Sequence, residues 1–158
     1  MKIIVAGLPK TGTKTMHAAC NILGYKVFDI MDHFEHHCEH WHRFWDGKGQ
    51  VEDFKEMYKD VEVGVDGPMF FYWEEILKAF PDMKIILTIR DEDAWWKSIR
   101  NQINIILSNT AYRVMTTISP TGRRYNNFVN RLVKTEFGIP MNEIQWKREF
   151  RHSNSYVM

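Results

Sequence analysis

An α/β fold of three layers, with helices on both faces of a central parallel sheet and a helical C-terminal half, is predicted by three observations. Ile3-Ile4-Val5-Ala6 and Ile85-Ile86-Leu87-Thr88-Ile89 are uncharged apolar runs, as expected of parallel strands covered on both faces. Such runs alternate with stretches of helical periodicity over about the first hundred residues. Beyond that point strand patterns stop, and Tyr112 to Ile118 and Tyr125 to Phe137 repeat apolar residues at helical spacing.

Size and charge narrow the function classes. The 158 residues have the length of one domain, 1–158, with 44% hydrophobic and 26% charged residues, the balance of a folded chain with a real core. A formal charge of +1 gives no reason to expect nucleic acid or an acidic membrane as partner, so any anion site must be local. Cys20 and Cys38 make no disulfide framework and no C-x-x-C motif. The apolar runs are far short of a membrane span. Met1-Lys2 leads at once into a strand and leaves no room for a secretory leader, so the expected compartment is the cytoplasm.

In chain order, Ile3 to Ala6 is the first and central strand. It feeds Gly7-Leu8-Pro9-Lys10-Thr11-Gly12-Thr13-Lys14-Thr15, a glycine-bounded turn opening a helix. Such a turn aims backbone N–H groups and the positive helix end at one spot, where phosphate is the usual guest, and Lys10 and Lys14 add charge. The frame is that of a P-loop NTPase-like fold, but the register is not that of G-x-x-x-x-G-K-[ST]. Gly7 and Gly12 fit, Thr13 occupies the lysine position, Lys14-Thr15 comes one residue late, and Lys10 sits inside the loop. Thr13 or a nearby hydroxyl is expected to cap the helix, with Met16, Ala19, Cys20 and Leu23 facing the sheet and Gly24 ending it. Tyr25 to Phe28 reads as a second strand.

Asp32 to Trp45 is the oddest stretch, with His33, His36, His37, His40 and His42 interleaved with Phe34, Trp41, Phe44 and Trp45. Three readings fit it: a metal site built at i, i+4 spacing, a helix lining an acceptor pocket with aromatic walls, and a plain surface helix. Val51 to Lys59 is a short amphipathic helix. Val61 to Val65 is a third strand delivering Asp66-Gly67-Pro68 to the sheet edge where ligands of open α/β sheets bind. Asp66 there is either a site carboxylate or a cap for the next helix. Phe70 to Phe80 reads as one helix.

Lys84 to Ile89 is the clearest strand, with Arg90 leaving its end and Asp91 starting a long helix; Ser98 lies two turns into it. An arginine fork plus a hydroxyl suits a monoester phosphate, and a salt bridge from Arg90 to Asp91 or Asp93 is the alternative. After a break at Ser119-Pro120-Thr121-Gly122, Arg123 and Arg124 lie either over a nucleotide or in solvent. Pro140 opens a last helix from Met141 to about Asn154.

The loop, Val65-Asp66-Gly67-Pro68, the strand ending in Arg90-Asp91, and Ser98 stand in one order that resembles the sulfotransferase family, in particular its small P-loop branch. The resemblance covers roughly residues 1–100. It implies the donor 3′-phosphoadenosine 5′-phosphosulfate (PAPS), with Pro9, Lys10, Thr11, Gly12, Thr13, Lys14 and Thr15 at the 5′-phosphosulfate and Arg90 and Ser98 at the 3′-phosphate. It implies catalytic roles for Lys10, which stabilises the leaving bridging oxygen, and for Asp66, which takes the acceptor proton where many relatives have a histidine. No metal is required, and the expected acceptor is a small apolar or aromatic hydroxyl or amine compound. Trp41, Trp45, Phe70 and Phe71 are the aromatics expected near it.

Family members continue into a further strand after the last helix. Either the chain is short, or a partner such as a second copy completes the sheet. The rival functions are a P-loop nucleotide-dependent kinase, which needs ATP and Mg²⁺, and a non-catalytic nucleotide-binding or assembly protein.

Overall fold

The computed structural model describes all residues, Met1–Met158, and divides into two compact units: Met1–Ile89 with His152–Met158, and Arg90–Arg151. The first unit holds the sheet. Its strands β1 (Ile3–Val5), β2 (Val27–Phe28), β3 (Val63–Val65) and β4 (Lys84–Ile86) are all parallel, in the order β2-β3-β1-β4. β1 is therefore internal, as its uncharged sequence predicts. Ile3, Ile4 and Val5 pair with Val63, Gly64 and Val65 on one side and with Lys84, Ile85 and Ile86 on the other.

Helix α1 (Thr13–Ile22) packs on the sheet through Cys20 and Met16, against a core of Val5, Val27, Val63 and Val65. Two expectations about α1 are corrected. Gly12, at φ 115°, occupies the N-cap position, and no side chain caps the helix. Ala19 lies on the solvent side of the helix, and Leu23 is exposed because the helix stops at Ile22 and Gly24, at φ 83°, turns the chain toward β2.

Helix α2 (Ile30–Trp45) starts with a capping box: Asp29 Oδ1 accepts from the Met31 N–H and Asp32 Oδ2 from the Asp29 N–H, both at 2.8 Å. Helix α3 (Val51–Met57) follows. The single helix expected from Phe70 to Phe80 is in fact a 3₁₀ turn, Met69–Phe71, and α4 (Trp73–Ala79), divided at Tyr72. The fourth strand is also shorter than its apolar run. Once the Ala6 N–H has bonded to the Ile86 carbonyl, β1 turns into the glycine loop, and Leu87, Thr88 and Ile89 have no strand to pair with.

The second unit is helical: α5 (Glu92–Ser108), α6 (Thr110–Ile118), α7 (Pro120–Glu136) and α8 (Glu143–Val157), whose last residues belong to the first unit. The expected break at 119–122 reduces to Ser119, which caps α7 by accepting from the Gly122 N–H, with Pro120 in the first helical position. Gly122 lies within the helix, at a position where a Cβ would collide with the Met115 carbonyl of α6. The unit's core is aromatic, with Trp95 stacked on Phe150 and Phe137 on Trp146 at centroid distances of 4.4 and 4.6 Å. The last helix begins at Glu143 rather than Met141.

Candidate functional site

The glycine loop is shaped by close approach. A Cβ on Gly7 would overlap the Thr88 side chain, so the chain leaving β1 can pass the segment after β4 only as glycine. The Thr11 hydroxyl donates to the Leu8 carbonyl at 2.6 Å and lies 2.7 Å from Thr88 Oγ1. Its one proton being committed to Leu8, Thr88 is the donor to Thr11. Lys10 takes a left-handed conformation, φ 72°, and Gly12 another, so the loop reverses twice within three residues. No side chain on the cap competes for the first N–H groups of α1, of which Thr15 already donates to the Gly12 carbonyl at 3.0 Å.

Thr13 is buried, Pro9, Lys10 and Thr11 are half-buried, and Gly12, Lys14 and Thr15 face solvent. The Lys14 ammonium lies 2.5 Å from Asp29 Oδ2. Asp29 is buried, which opposes its charge. The Lys14 ammonium and the Met31 N–H overcome that penalty, and the carboxyl is held below its ordinary value. Asp29 therefore joins the loop lysine to the start of α2, with His17 Nε2 3.9 Å away.

Asp66 also sits at a left-handed position, φ 68°, after β3, and its Oδ1 accepts from the Gly67 N–H at 3.0 Å. It does not cap the following 3₁₀ turn. Burial pushes its carboxyl above the ordinary value of 3.8. The Gly67 N–H pulls it part of the way back, as do the charges of Lys14 and Lys10, while Asp29 adds to the upward push. Asp66, Lys10, Lys14 and Asp29 thus share one electrostatic neighbourhood at the C-terminal edge of the sheet.

The histidine-rich helix buries one face, with His33, Phe34, His37, Cys38 and Trp41 in the core, while His36 is exposed and His40 and His42 are half-buried. His33 is fully buried, its ring near Phe28, Trp41 and Tyr58 at centroid distances of 6.3, 6.2 and 5.8 Å. Burial lowers the His33 pKa to about 3, which nearby His37 reinforces and the Asp29 charge and Val65 backbone offset only in part. His37 is lowered to about 4, again chiefly by burial and then by His40 and His36. No three His, Cys, Asp or Glu side chains converge as a metal ligand set. Trp41 and Phe70 belong to the core rather than to a cleft wall, and Trp45 and Phe71 are half-buried. A groove of about 550 Å³ runs along β2, lined by Phe28, Asp32, His36, His37, Glu56 and Lys59 among others, with no residue of the loop in its wall.

In the second unit Arg90 is exposed and directly precedes Asp91, whose side chain caps α5 by accepting from the Ala94 N–H at 2.9 Å. Ser98 is half-buried within α5. Asp93 pairs with Lys147 at 2.6 Å. Arg123 is exposed but engaged, donating to the Thr117 and Ile118 carbonyls at 2.8 and 2.9 Å. Two residues of the site escaped the sequence reading. Thr88 was signalled by a hydroxyl inside an apolar strand run, and Asp29 by its capping-box spacing to Asp32.

The family described as Sulfotransferase domain matches residues 2–158. The Ava biosynthesis cluster protein M of Aspergillus versicolor is 32% identical over 139 residues, covering 81% of this chain and 52% of that protein. The chain thus spans about half the length of this curated relative.

Proposed function

The chain belongs to the sulfotransferase domain family, and from that premise we propose that it transfers a sulfuryl group from PAPS to a hydroxyl or amine of a small molecule. The observation that carries the reading is the loop. Its α1 N-terminus has no side-chain cap, and Lys10, Lys14 and the raised carboxyl of Asp66 lie in one neighbourhood. A cradle for an anion beside a carboxylate shifted toward a useful basicity is the equipment that in-line sulfuryl transfer requires.

In the proposed step the acceptor oxygen or nitrogen attacks sulfur, and the bond from sulfur to the bridging oxygen of the 5′-phosphosulfate breaks. That oxygen leaves with its electron pair on 3′-phosphoadenosine 5′-phosphate, and the acceptor proton passes to Asp66. Lys10 stabilises the charge growing on the leaving oxygen, and the remaining N–H groups of the loop with the hydroxyls of Thr13 and Thr15 hold the transferred end. Arg90 and Ser98 are assigned the 3′-phosphate by the family resemblance. The relative named for a biosynthesis cluster supports a small-molecule acceptor.

Incubation with ³⁵S-labelled PAPS and a panel of phenols, alcohols and amines tests the reading. Label is expected to move to an acceptor in the presence of EDTA, and Asp66→Asn is expected to lower the rate about 10²–10⁴-fold. Phosphoryl transfer from ATP–Mg²⁺, with no label moved from PAPS, would instead make the protein a kinase.

A further inference from the structure

The formal charge of +1 is the sum of unlike regions. From Lys97 to Lys134 the chain has seven Lys and Arg and no Asp or Glu. This stretch forms most of α5, all of α6 and most of α7, within the second unit.

Helix α6 is turned inside out. It buries no residue. Its half-buried side is Tyr112 and Thr116, with the Tyr112 hydroxyl donating to Asn126 Oδ1 of α7 at 3.1 Å. Its aliphatic residues face solvent: Val114, Met115 and Ile118 are 51, 43 and 72% exposed. Ile105 and Leu107, at the end of α5, are exposed as well. Arg123 is pinned beside Ile118 by its bonds to the last carbonyls of α6, and Arg113 and Arg124 are exposed nearby in the chain.

An outward aliphatic face accompanied by cations and free of carboxylates has the composition of a helix lying in a membrane interface. Protein-binding hot spots favour exposed Trp and Tyr, whereas Trp95, Trp96 and Trp146 of this unit are buried. No helix is long and apolar enough to cross a membrane, so the contact is with the surface. We propose that the α5–α6–α7 face docks onto an anionic lipid surface. Val114, Met115 and Ile118 enter the boundary between headgroups and acyl chains, and Arg113, Arg123 and Arg124 meet lipid phosphates.

Co-sedimentation with vesicles of phosphatidylcholine alone, and of the same lipid with one phosphatidylserine in three, provides the test. The protein is expected to partition onto the serine-containing vesicles and to be released by raised salt. Arg113→Ser and Arg124→Ser are each expected to weaken partitioning about fivefold. The double variant Val114→Ser, Ile118→Ser is expected to weaken it at least about tenfold, as lost methylene burial dictates. These side chains are exposed, so circular dichroism should show an unchanged fold. Absence of partitioning would overturn the proposal, as would partitioning indifferent to the double variant. Self-association in light scattering that the double variant abolishes, without vesicle binding, would assign the face to a second copy instead.

Discussion

The glycine loop at residues 7–15 and the histidine-rich α2 belong to the same unit and meet at one ion pair, Lys14 with Asp29, yet they use polar groups in opposite ways. The loop carries two titratable side chains, Lys10 and Lys14, and no acid. Its capacity lies in backbone, made available by a left-handed Gly12, a left-handed Lys10 and a helix start with no cap. Helix α2 carries five histidines, and the two with the largest shifts, His33 and His37, are buried among aromatic rings. Donors left open to solvent bind anions; imidazoles sealed in a core are held neutral and serve packing. The abundance of reactive residue types is therefore a poor guide to the site, and the conformation of a few small residues is a better one.

The contrast can be tested by substitution on each side. Lys10→Ala removes the charge proposed for the leaving oxygen, and a loss of about 10²–10³ in kcat is expected, typical of deleting one preorganised stabiliser. A rate within a few-fold of the original would remove Lys10 from the chemistry.

On the α2 side, the folded pKa values of about 3 and about 4 for His33 and His37 lie below the ordinary 6.5. The unfolded chain therefore takes up protons first. Their contribution to stability is complete above pH 6.5 and is lost as pH falls through about 4 for His37 and through about 3 for His33, on the order of 3 kcal/mol by pH 4 for the fully buried His33 and less for His37, which solvent partly screens. Urea unfolding across that range should show the loss, and His33→Leu should reduce it by about half. An unchanged slope would mean that His33 is not held neutral by the core.

Smaller effects are expected where only the loop backbone is disturbed. Gly12→Ala finds no atom within 4 Å of the added methyl group, so its cost is purely conformational, about 1–2 kcal/mol in stability. Thr88→Val keeps the shape but deletes the donor to Thr11. It should cost about 0.5–1.5 kcal/mol in binding of 3′-phosphoadenosine 5′-phosphate, measured by calorimetry.

The parallel sheet was legible because strands covered on both faces need uninterrupted apolar runs, and β1 and β3 carry them. Their ends were less legible: Leu87, Thr88 and Ile89 are as apolar a continuation as β4 itself, but pairing stops where β1 turns away. The loop was legible through Gly7 and Gly12, each required for a conformational or steric reason. Asp29 was hidden by its neighbours, since a capping carboxylate next to a run of histidines draws no notice until Lys14 is found on it. In α6 the spacing of Tyr112 to Ile118 marked a helix but not the side its apolar residues face, because periodicity does not say which side the rest of the protein occupies.

The central claim is that the loop accepts a sulfuryl donor rather than a triphosphate, and thermal unfolding with the two ligands decides it. At about a hundredfold excess over its dissociation constant, 3′-phosphoadenosine 5′-phosphate should stabilise by about 2.7 kcal/mol and raise Tm by about 5–10 °C. ATP–Mg²⁺ at the same concentration should leave Tm in place. A shift with ATP–Mg²⁺ and none with 3′-phosphoadenosine 5′-phosphate would contradict the account.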